Sequence, residues 1–191
     1  MSHRKTMSLE LIIGPMFAGK SSAILQRVRR AQVISQKVFI VTCSIDTRYD
    51  GSGCSIKTHD KDGMKATGVK ELHEILTLAE FHLSDLVIIE EAQFFPDLYE
   101  IVLRLVEINQ KRVIVVGLDG DSERKPFGRI LDLIPIADTV TKLTALCKRC
   151  NDGTVGLFSG ALKDKDKQVC VGGTETYEPM CRRHYLANMR T

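Results

Sequence analysis

No stretch of this sequence contains 18 consecutive apolar residues, so a membrane-spanning helix is not expected. Residues 1–8 are polar and lack the apolar core of a signal peptide, and we expect them to form a loose tail. The net charge is only +3, and the longest basic cluster (Arg27, Arg29 and Arg30) is typical of a solvated helix edge. These absences favour a cytoplasmic protein without a membrane or nucleic-acid partner.

Disulfide bonds are also not expected, because thiols in an intracellular protein stay reduced. The spacing of the six cysteines offers another explanation for them. Cys147 and Cys150 form a C-x-x-C pair, and 30 residues separate it from the C-x-x-H pair of Cys181 and His184. Two such pairs can complete the tetrahedral coordination of one Zn²⁺, which with four protein ligands would be structural and not catalytic. The alternative is a set of unpaired thiols.

Short apolar runs alternate with helical periodicity over most of the chain. The predicted strands are 9–13, 37–42, 85–89 and 112–118, with a candidate fifth at 139–146, and the predicted helices are 20–35, 69–81 and 96–109. This alternation indicates an α/β fold with a parallel sheet that is flanked by helices and buried on both faces. The residues from 43 to 67 are predicted to form a long loop.

The composition changes at Cys147, where the alternation ends and Gly, Lys, Asp and Cys become frequent. We therefore predict a tail at 1–8, an α/β domain at 9–146 and a small C-terminal domain at 147–191. The segment between the two metal-binding pairs is too polar to fold alone, so we expect the metal to hold its two ends together.

The segment Gly14–Ser21 reads G-P-M-F-A-G-K-S and matches the phosphate-binding pattern G-x-x-x-x-G-K-[ST]. The glycines allow backbone N–H groups to face phosphate oxygens, Lys20 neutralises the β and γ charge, and Ser21 offers a hydroxyl to Mg²⁺. The motif lies between a predicted strand and a predicted helix. It predicts binding of a nucleoside triphosphate and transfer of its terminal phosphate. The alternative is a glycine-rich turn before a helix.

Glu90 and Glu91 directly follow the predicted strand 85–89. In proteins with this loop, an acid at such a strand end holds the Mg²⁺ shell, and an adjacent acid can take the proton of an attacking hydroxyl. The alternative is that two glutamates merely end a strand at the surface. A GTPase switch is disfavoured, because no N/T-K-x-D motif for reading guanine follows a late strand.

Further motifs follow in order: D-T-R-Y at 46–49, T-H-D at 58–60, E-E-A-Q-F-F at 90–95, K-P-F-G at 125–128, C-K-R-C at 147–150 and V-G-G-x-x-x-Y-E-P-x-C-R-R-H at 171–184. Together with the phosphate-binding loop, they resemble the type II thymidine kinases over nearly the whole chain. The resemblance implies ATP and thymidine as substrates, Mg²⁺ and a structural Zn²⁺ as cofactors, and a homotetramer.

The family pattern also implies roles for individual residues. It assigns the nucleotide to Gly14, Pro15, Met16, Phe17, Ala18, Gly19, Lys20, Ser21, Asp46, Arg48, Glu90 and Gln93. Glu91 would be the general base for the nucleoside 5′-hydroxyl, and Arg48 would stabilise the transferring group. The nucleoside would lie against Phe127, Ser159, Gln168, Val169, Cys170, Val171, Gly172, Gly173 and Tyr177. The zinc-tied segment would close over it as a lasso-like loop.

Three positions depart from the family pattern. Glu90 stands where Asp is usual, and Ser159 and Ala161 stand where the lasso usually carries Thr and Arg. Glu is one methylene longer than Asp, and Ser159 lies where the family shapes the pocket for the methyl group of the base. Two alternatives therefore accompany the thymidine kinase interpretation. One is a pyrimidine deoxynucleoside kinase of altered specificity, and the other is a weakened nucleotide-binding regulatory protein.

Overall fold

The computed structural model of the chain describes residues 7–44, 55–56, 64–162 and 176–189. Its strands are β1 (Ser8–Ile13), β2 (Val38–Cys43), β3 (Ser55–Ile56), β4 (Met64–Lys65), β5 (Thr67–Val69), β6 (Leu86–Glu90), β7 (Arg112–Gly117), β8 (Thr139–Lys142), β9 (Ala145–Leu146), β10 (Val155–Gly156), β11 (Phe158–Ala161) and β12 (Tyr177–Met180). Its α-helices are α1 (Lys20–Val33), α2 (Ala79–Leu83), α3 (Leu98–Leu103) and α4 (Arg182–Asn188). Turns of 3₁₀ helix cover Leu72–Thr77, Ala92–Phe94 and Ile130–Ile136, and a π-helical turn covers Arg104–Ile108.

Six strands form one sheet in the order β5-β2-β6-β7-β1-β8. All five pairings are parallel, which confirms the predicted α/β class. The carboxyl ends of parallel strands meet at one edge of the sheet, where ligands of such folds bind. Only β7 separates β1, which leads into the phosphate-binding loop, from β6, which ends at Glu90. The topology therefore brings the loop and the acid to the same edge.

Successive residues of the central strands enter two different cores. In β6, Val87 and Ile89 pack with α2 and α3 on one face of the sheet, and Leu86 and Ile88 pack with α1 on the other. All four side chains are fully buried. This explains why the strands are uniformly apolar instead of alternating with polar residues.

The helix predicted at 69–81 is wrong. The start of that stretch belongs to β5 at the sheet edge, and a 3₁₀ turn and the short α2 follow, with extended backbone at Leu78 between them (φ −84°, ψ 135°). The carboxylate of Asp97 accepts hydrogen bonds from the N–H groups of Leu72 (3.0 Å) and His73 (2.8 Å). A partner distant in sequence therefore fixes the start of this turn, which local periodicity does not reveal.

The other predicted elements are present with shifted ends. The helix predicted at 96–109 is α3 followed by the π-helical turn, and the strand predicted at 139–146 continues only to Lys142 as β8. The 3₁₀ turn before β8 was not predicted. Most of the loop predicted at 43–67 lies outside the described residues.

After β8 the chain leaves the parallel sheet. It forms two small antiparallel pairs, β9 with β10 and β11 with β12, and α4 follows. The predicted division into 1–8, 9–146 and 147–191 stays a prediction. Among the residues that the structure describes, no helix combines the length and the apolar character needed to cross a lipid bilayer.

Candidate active site and metal site

The phosphate-binding loop connects β1 to α1, and its geometry favours glycine at both motif positions. A Cβ at Gly14 would lie 2.5 Å from the carbonyl oxygen of Leu143, which follows β8. Gly19 is the N-cap of α1 and has a left-handed backbone (φ 80°). Residues that carry a side chain rarely adopt this backbone conformation, so glycine is favoured there. The motif is thus fitted to this turn.

Lys20 opens α1 and lies over the inside of the loop. Its ammonium group donates to the carbonyl oxygens of Gly14 (3.1 Å) and Pro15 (2.8 Å). The first turn of α1, which the structure describes in full, holds no acidic residue, so the positive end of the helix dipole is not compensated there. Ser21 is half-buried on the same turn. A cation and a helix N-terminus at one loop are suited to binding phosphates.

The two adjacent acids differ in backbone and burial. Glu90 is the last residue of β6, and it is 5% exposed. Glu91 has already left the strand with left-handed backbone angles (φ 49°, ψ 41°), and it is half-buried. A residue other than glycine is strained in this region, and such strain is common at functional sites. The turn, and not the alternation of side chains along a strand, sets the direction of Glu91.

Gln93 lies in the 3₁₀ turn after these acids and is 3% exposed. Its Nε2 donates to Oε2 of Glu91 (2.6 Å), and its Oε1 accepts from the backbone N–H of Leu118 (3.0 Å). Gln93 therefore joins the acid after β6 to the end of β7.

The C-terminal part of the chain reaches the phosphate-binding loop at Ser159. The buried hydroxyl of Ser159, in β11, accepts a hydrogen bond from the backbone N–H of Met16 (2.9 Å). Tyr177 opens β12, which pairs with β11. Phe127 is buried and packs edge-to-face on Phe94, with 5.4 Å between ring centroids. Phe127 thereby lies against the 3₁₀ turn that holds Gln93.

Cys147, Cys150, Cys181 and His184 meet in one cluster, as their spacing predicts, with all ligand atoms within 4.8 Å of one another. Nδ1 of His184 lies 3.4–3.5 Å from the three sulfurs, and the Cys150 and Cys181 sulfurs are 3.8 Å apart. A tetrahedron with Zn–S bonds of about 2.3 Å has S···S edges of about 3.8 Å. The donor set and its spacing therefore fit one Zn²⁺ with four protein ligands.

The thiols of this cluster influence one another. Burial raises the pKa of the Cys147 thiol, but hydrogen bonds from the Cys181 backbone, His184 and Cys150 outweigh burial and lower that pKa to about 6. Burial raises the pKa of Cys150, and the hydrogen bond with Cys147 raises it further. A thiol that ionises readily is a ready metal ligand, because the thiolate is the form that binds.

Comparison with known proteins decides the family. The family model described as "Thymidine kinase" matches residues 7–185. The chain is 39% identical over 191 residues to "Thymidine kinase a" of Arabidopsis thaliana, covering 98% of this chain and 79% of the relative. It is 40% identical over 179 residues to "Thymidine kinase" of Variola virus (isolate Human/India/Ind3/1967), covering 93% of this chain and 96% of the relative. The Vaccinia virus (strain Western Reserve) "Thymidine kinase" is 39% identical, with the same coverage.

The chain belongs to the thymidine kinase family. Some site residues predicted for this family fall outside the described residues, and the structure does not place them. These are Asp46, Arg48, Gln168, Val169, Cys170, Val171, Gly172 and Gly173. The other predicted nucleotide, acid and nucleoside residues of this family member are described by the structure. They lie in the phosphate-binding loop, at the end of β6 and in the turn that follows it, after β7, and in β11 and β12.

The sequence patterns do not reveal two contacts near the site of this thymidine kinase family member. One is the backbone N–H of Leu118, which binds Gln93. The other is Tyr185, whose hydroxyl donates to the carbonyl oxygen of Ser122 (2.5 Å) while Arg124 stacks 4.7 Å from its ring centroid. These contacts join residues 25 and 63 positions apart, which no local pattern encodes.

Proposed function

We propose that this protein transfers the γ-phosphate of ATP to the 5′-hydroxyl of thymidine. The observation that carries the proposal is the hydrogen bond between Ser159 and the N–H of Met16, in a chain matched to the thymidine kinase family across both regions. Direct transfer requires that donor and acceptor be held side by side. The contact of the C-terminal segment with the phosphate-binding loop supports that adjacency.

In this reaction the 5′-oxygen of thymidine bonds to the γ-phosphorus, and the bond from that phosphorus to the bridging oxygen breaks, so that ADP leaves. Glu91 accepts the proton of the 5′-hydroxyl. Lys20 and the loop N–H groups bind the phosphates. Ser21 and Glu90 would hold Mg²⁺, which would neutralise part of the phosphate charge. Arg48 stabilises the transferring group, with Asp46 beside the nucleotide.

The nucleoside lies between the turn after β6 and the C-terminal segment. Phe127, Ser159 and Tyr177 contact it, together with the stretch 168–173. The burial of Phe127 against Phe94, and the position of Ser159 on the loop, support this placement. Only the family pattern supports the roles proposed for the stretch 168–173 and for the phosphate-side residues at 46 and 48.

The four-ligand cluster would hold a structural Zn²⁺ that closes the C-terminal segment and takes no part in the reaction. The family resemblance supports a homotetramer in the cytoplasm. Size-exclusion chromatography with light scattering tests the assembly, and a monomeric mass at micromolar concentration would contradict it.

A nucleoside panel tests the proposal. We expect thymidine monophosphate and ADP in equal amounts from ATP and thymidine. Deoxyuridine should reach a kcat/KM within about 100-fold of thymidine, because one methyl group is worth only about 1–3 kcal/mol. Efficient phosphorylation of deoxycytidine would instead indicate the pyrimidine deoxynucleoside kinase of altered specificity. Binding of ATP without phosphorylation of any nucleoside would overturn the proposal and favour the regulatory alternative.

A further inference from the structure

Gln93 connects two strand ends through both ends of its side-chain amide. The amide is buried in the 3₁₀ turn after β6. One end donates to Oε2 of Glu91 (2.6 Å), and the other accepts from the N–H of Leu118 (3.0 Å), the residue after β7. Buried polar groups persist when they are hydrogen-bonded, and this amide is held at both ends.

The contact with Leu118 determines which way round the amide lies. A backbone N–H can only donate, so the Gln93 atom that faces it has to be the carbonyl oxygen. The NH₂ group then has to face Glu91, whose carboxylate is an acceptor. The orientation of the amide therefore follows from hydrogen-bond chemistry, although its two terminal atoms have similar shapes.

Two glycines keep space around Gln93. A Cβ at Gly117 would overlap Oε1 of Gln93 and would lie 2.8 Å from Cδ1 of Ile130. A Cβ at Gly128 would overlap the main-chain oxygen of Gln93, and the backbone of Gly128 is left-handed (φ 57°). The surrounding backbone is thus fitted to Gln93 at both its side chain and its main chain.

Glu91 lies just beyond the regular strand and has a strained left-handed backbone. A general base has to keep its carboxylate within hydrogen-bond reach of the hydroxyl that it deprotonates. We propose that Gln93 is a positioning residue, which holds the carboxylate of Glu91 against the end of β7 in the orientation that accepts the 5′-hydroxyl proton. This inference rests on the proposed function of Glu91.

The test compares Gln93→Met with the unmodified protein and repeats the change in a Glu91→Gln background. Methionine keeps the length of the side chain but donates no hydrogen bond. The kcat for thymidine should fall about 10- to 100-fold, the range for a hydrogen bond to a charged group. The KM values for ATP and thymidine should stay within about twofold. In the Glu91→Gln background the change should cost less than about threefold, because Gln93 acts through Glu91.

Two further variants control the comparison. Gln36→Met makes the same change at the opposite edge of the sheet, where Gln36 accepts a hydrogen bond from Arg112 (3.0 Å), and it should leave kcat unchanged. Gly117→Ala displaces the Gln93 amide without removing it, so it should lower kcat in the unmodified protein and not in the Glu91→Gln background. This variant decides the matter if Gln93→Met does not fold.

Equal losses from Gln93→Met in both backgrounds would overturn the inference and leave Glu91 in its role. A raised KM for ATP with unchanged kcat would also overturn it, and would support the direct nucleotide contact that the family pattern predicts for Gln93. Full activity of Glu91→Gln would remove the base from the proposed function, and this inference would fall with it.

Discussion

We expect different forces to stabilise the parallel sheet and the C-terminal segment (β9 to α4). In β6 and β7, residues such as Ile88 and Val115 are completely buried between the sheet and its helices. The strands in the described part of the C-terminal segment are two to four residues long, and few of the apolar side chains described there are buried. A unit this small needs a metal or another cross-link in place of a large core.

The two regions nevertheless meet at the site. Ser159 and Tyr185 of the C-terminal segment bind the backbone of Met16 in the phosphate-binding loop and of Ser122 after β7. The segment that carries the proposed metal site therefore contacts the part of the molecule with the buried apolar core. Substitutions in the phosphate-binding loop, in the metal cluster, in the core of the sheet and at the Tyr185–Ser122 contact should therefore have distinguishable effects.

The largest expected effect is that of Lys20→Ala on phosphate transfer. The β and γ phosphates lose their cation, so turnover should fall by at least about 10²- to 10³-fold, and ATP should bind more weakly. The thermal midpoint and the zinc content should stay unchanged, because Lys20 lies neither in the apolar cores of the sheet nor in the metal cluster. Turnover, ATP affinity by calorimetry and thermal unfolding check this. Near-normal turnover and affinity would remove the loop from the mechanism.

Loss of a metal ligand should unfold the C-terminal segment and leave the sheet intact. Cys147→Ser or His184→Ala leaves three ligands, and zinc content should fall well below about one per chain. Amide exchange should increase in β11 and β12 and stay slow in β6 and β7. Activity should fall together with the zinc content, because Ser159 lies in the affected segment. Elemental analysis and hydrogen exchange measure this. Metal-free protein that is fully folded and active would contradict the proposed site.

Ile88→Ala is the converse change, made in the core of the sheet. Removing the buried atoms of Ile88 should lower the free energy of unfolding by about 2–5 kcal/mol. Chemical denaturation of the zinc-bound protein measures it, and the zinc content of the remaining folded protein should be unchanged. A parallel loss of zinc would show that the two regions do not differ in the way proposed.

Tyr185→Phe should produce the smallest effect, because it removes only the hydrogen bond to the carbonyl oxygen of Ser122. The loss should be about 1 kcal/mol, with faster amide exchange at 119–127 and unchanged zinc content. Burial raises the pKa of Tyr185, so its hydroxyl remains a donor at neutral pH. The difference between the two proteins should therefore stay constant below about pH 10. A drop in zinc content would instead give Tyr185 a role in the metal site.

Features that depend on neighbouring residues were predictable from the sequence. The loop Gly14–Ser21, the apolar central strands and the spacing of Cys147, Cys150, Cys181 and His184 each carry a local pattern. The parallel sheet follows from the alternation of elements, and the meeting of the loop and Glu90 at one edge follows from the parallel sheet.

Features that depend on distant partners were not predictable. The break at Leu78 accompanies a 3₁₀ turn that Asp97 fixes, and no pattern in the sequence indicates the left-handed backbone of Glu91. The hydrogen bond from Met16 to Ser159 joins residues 143 positions apart in the sequence. Only the folded structure brings these two residues together, so neither segment alone indicates the contact.

The comparison of Glu91→Gln with Glu90→Gln tests the central claim most directly. The kcat for thymidine is measured for both variants over a range of Mg²⁺ concentrations. Glu91→Gln should lower kcat by about 10²- to 10⁴-fold at every Mg²⁺ concentration, with thymidine binding intact. Glu90→Gln should lose activity that rising Mg²⁺ partly restores. Near-normal turnover of Glu91→Gln, with Glu90→Gln the more damaging change at saturating Mg²⁺, would contradict the account.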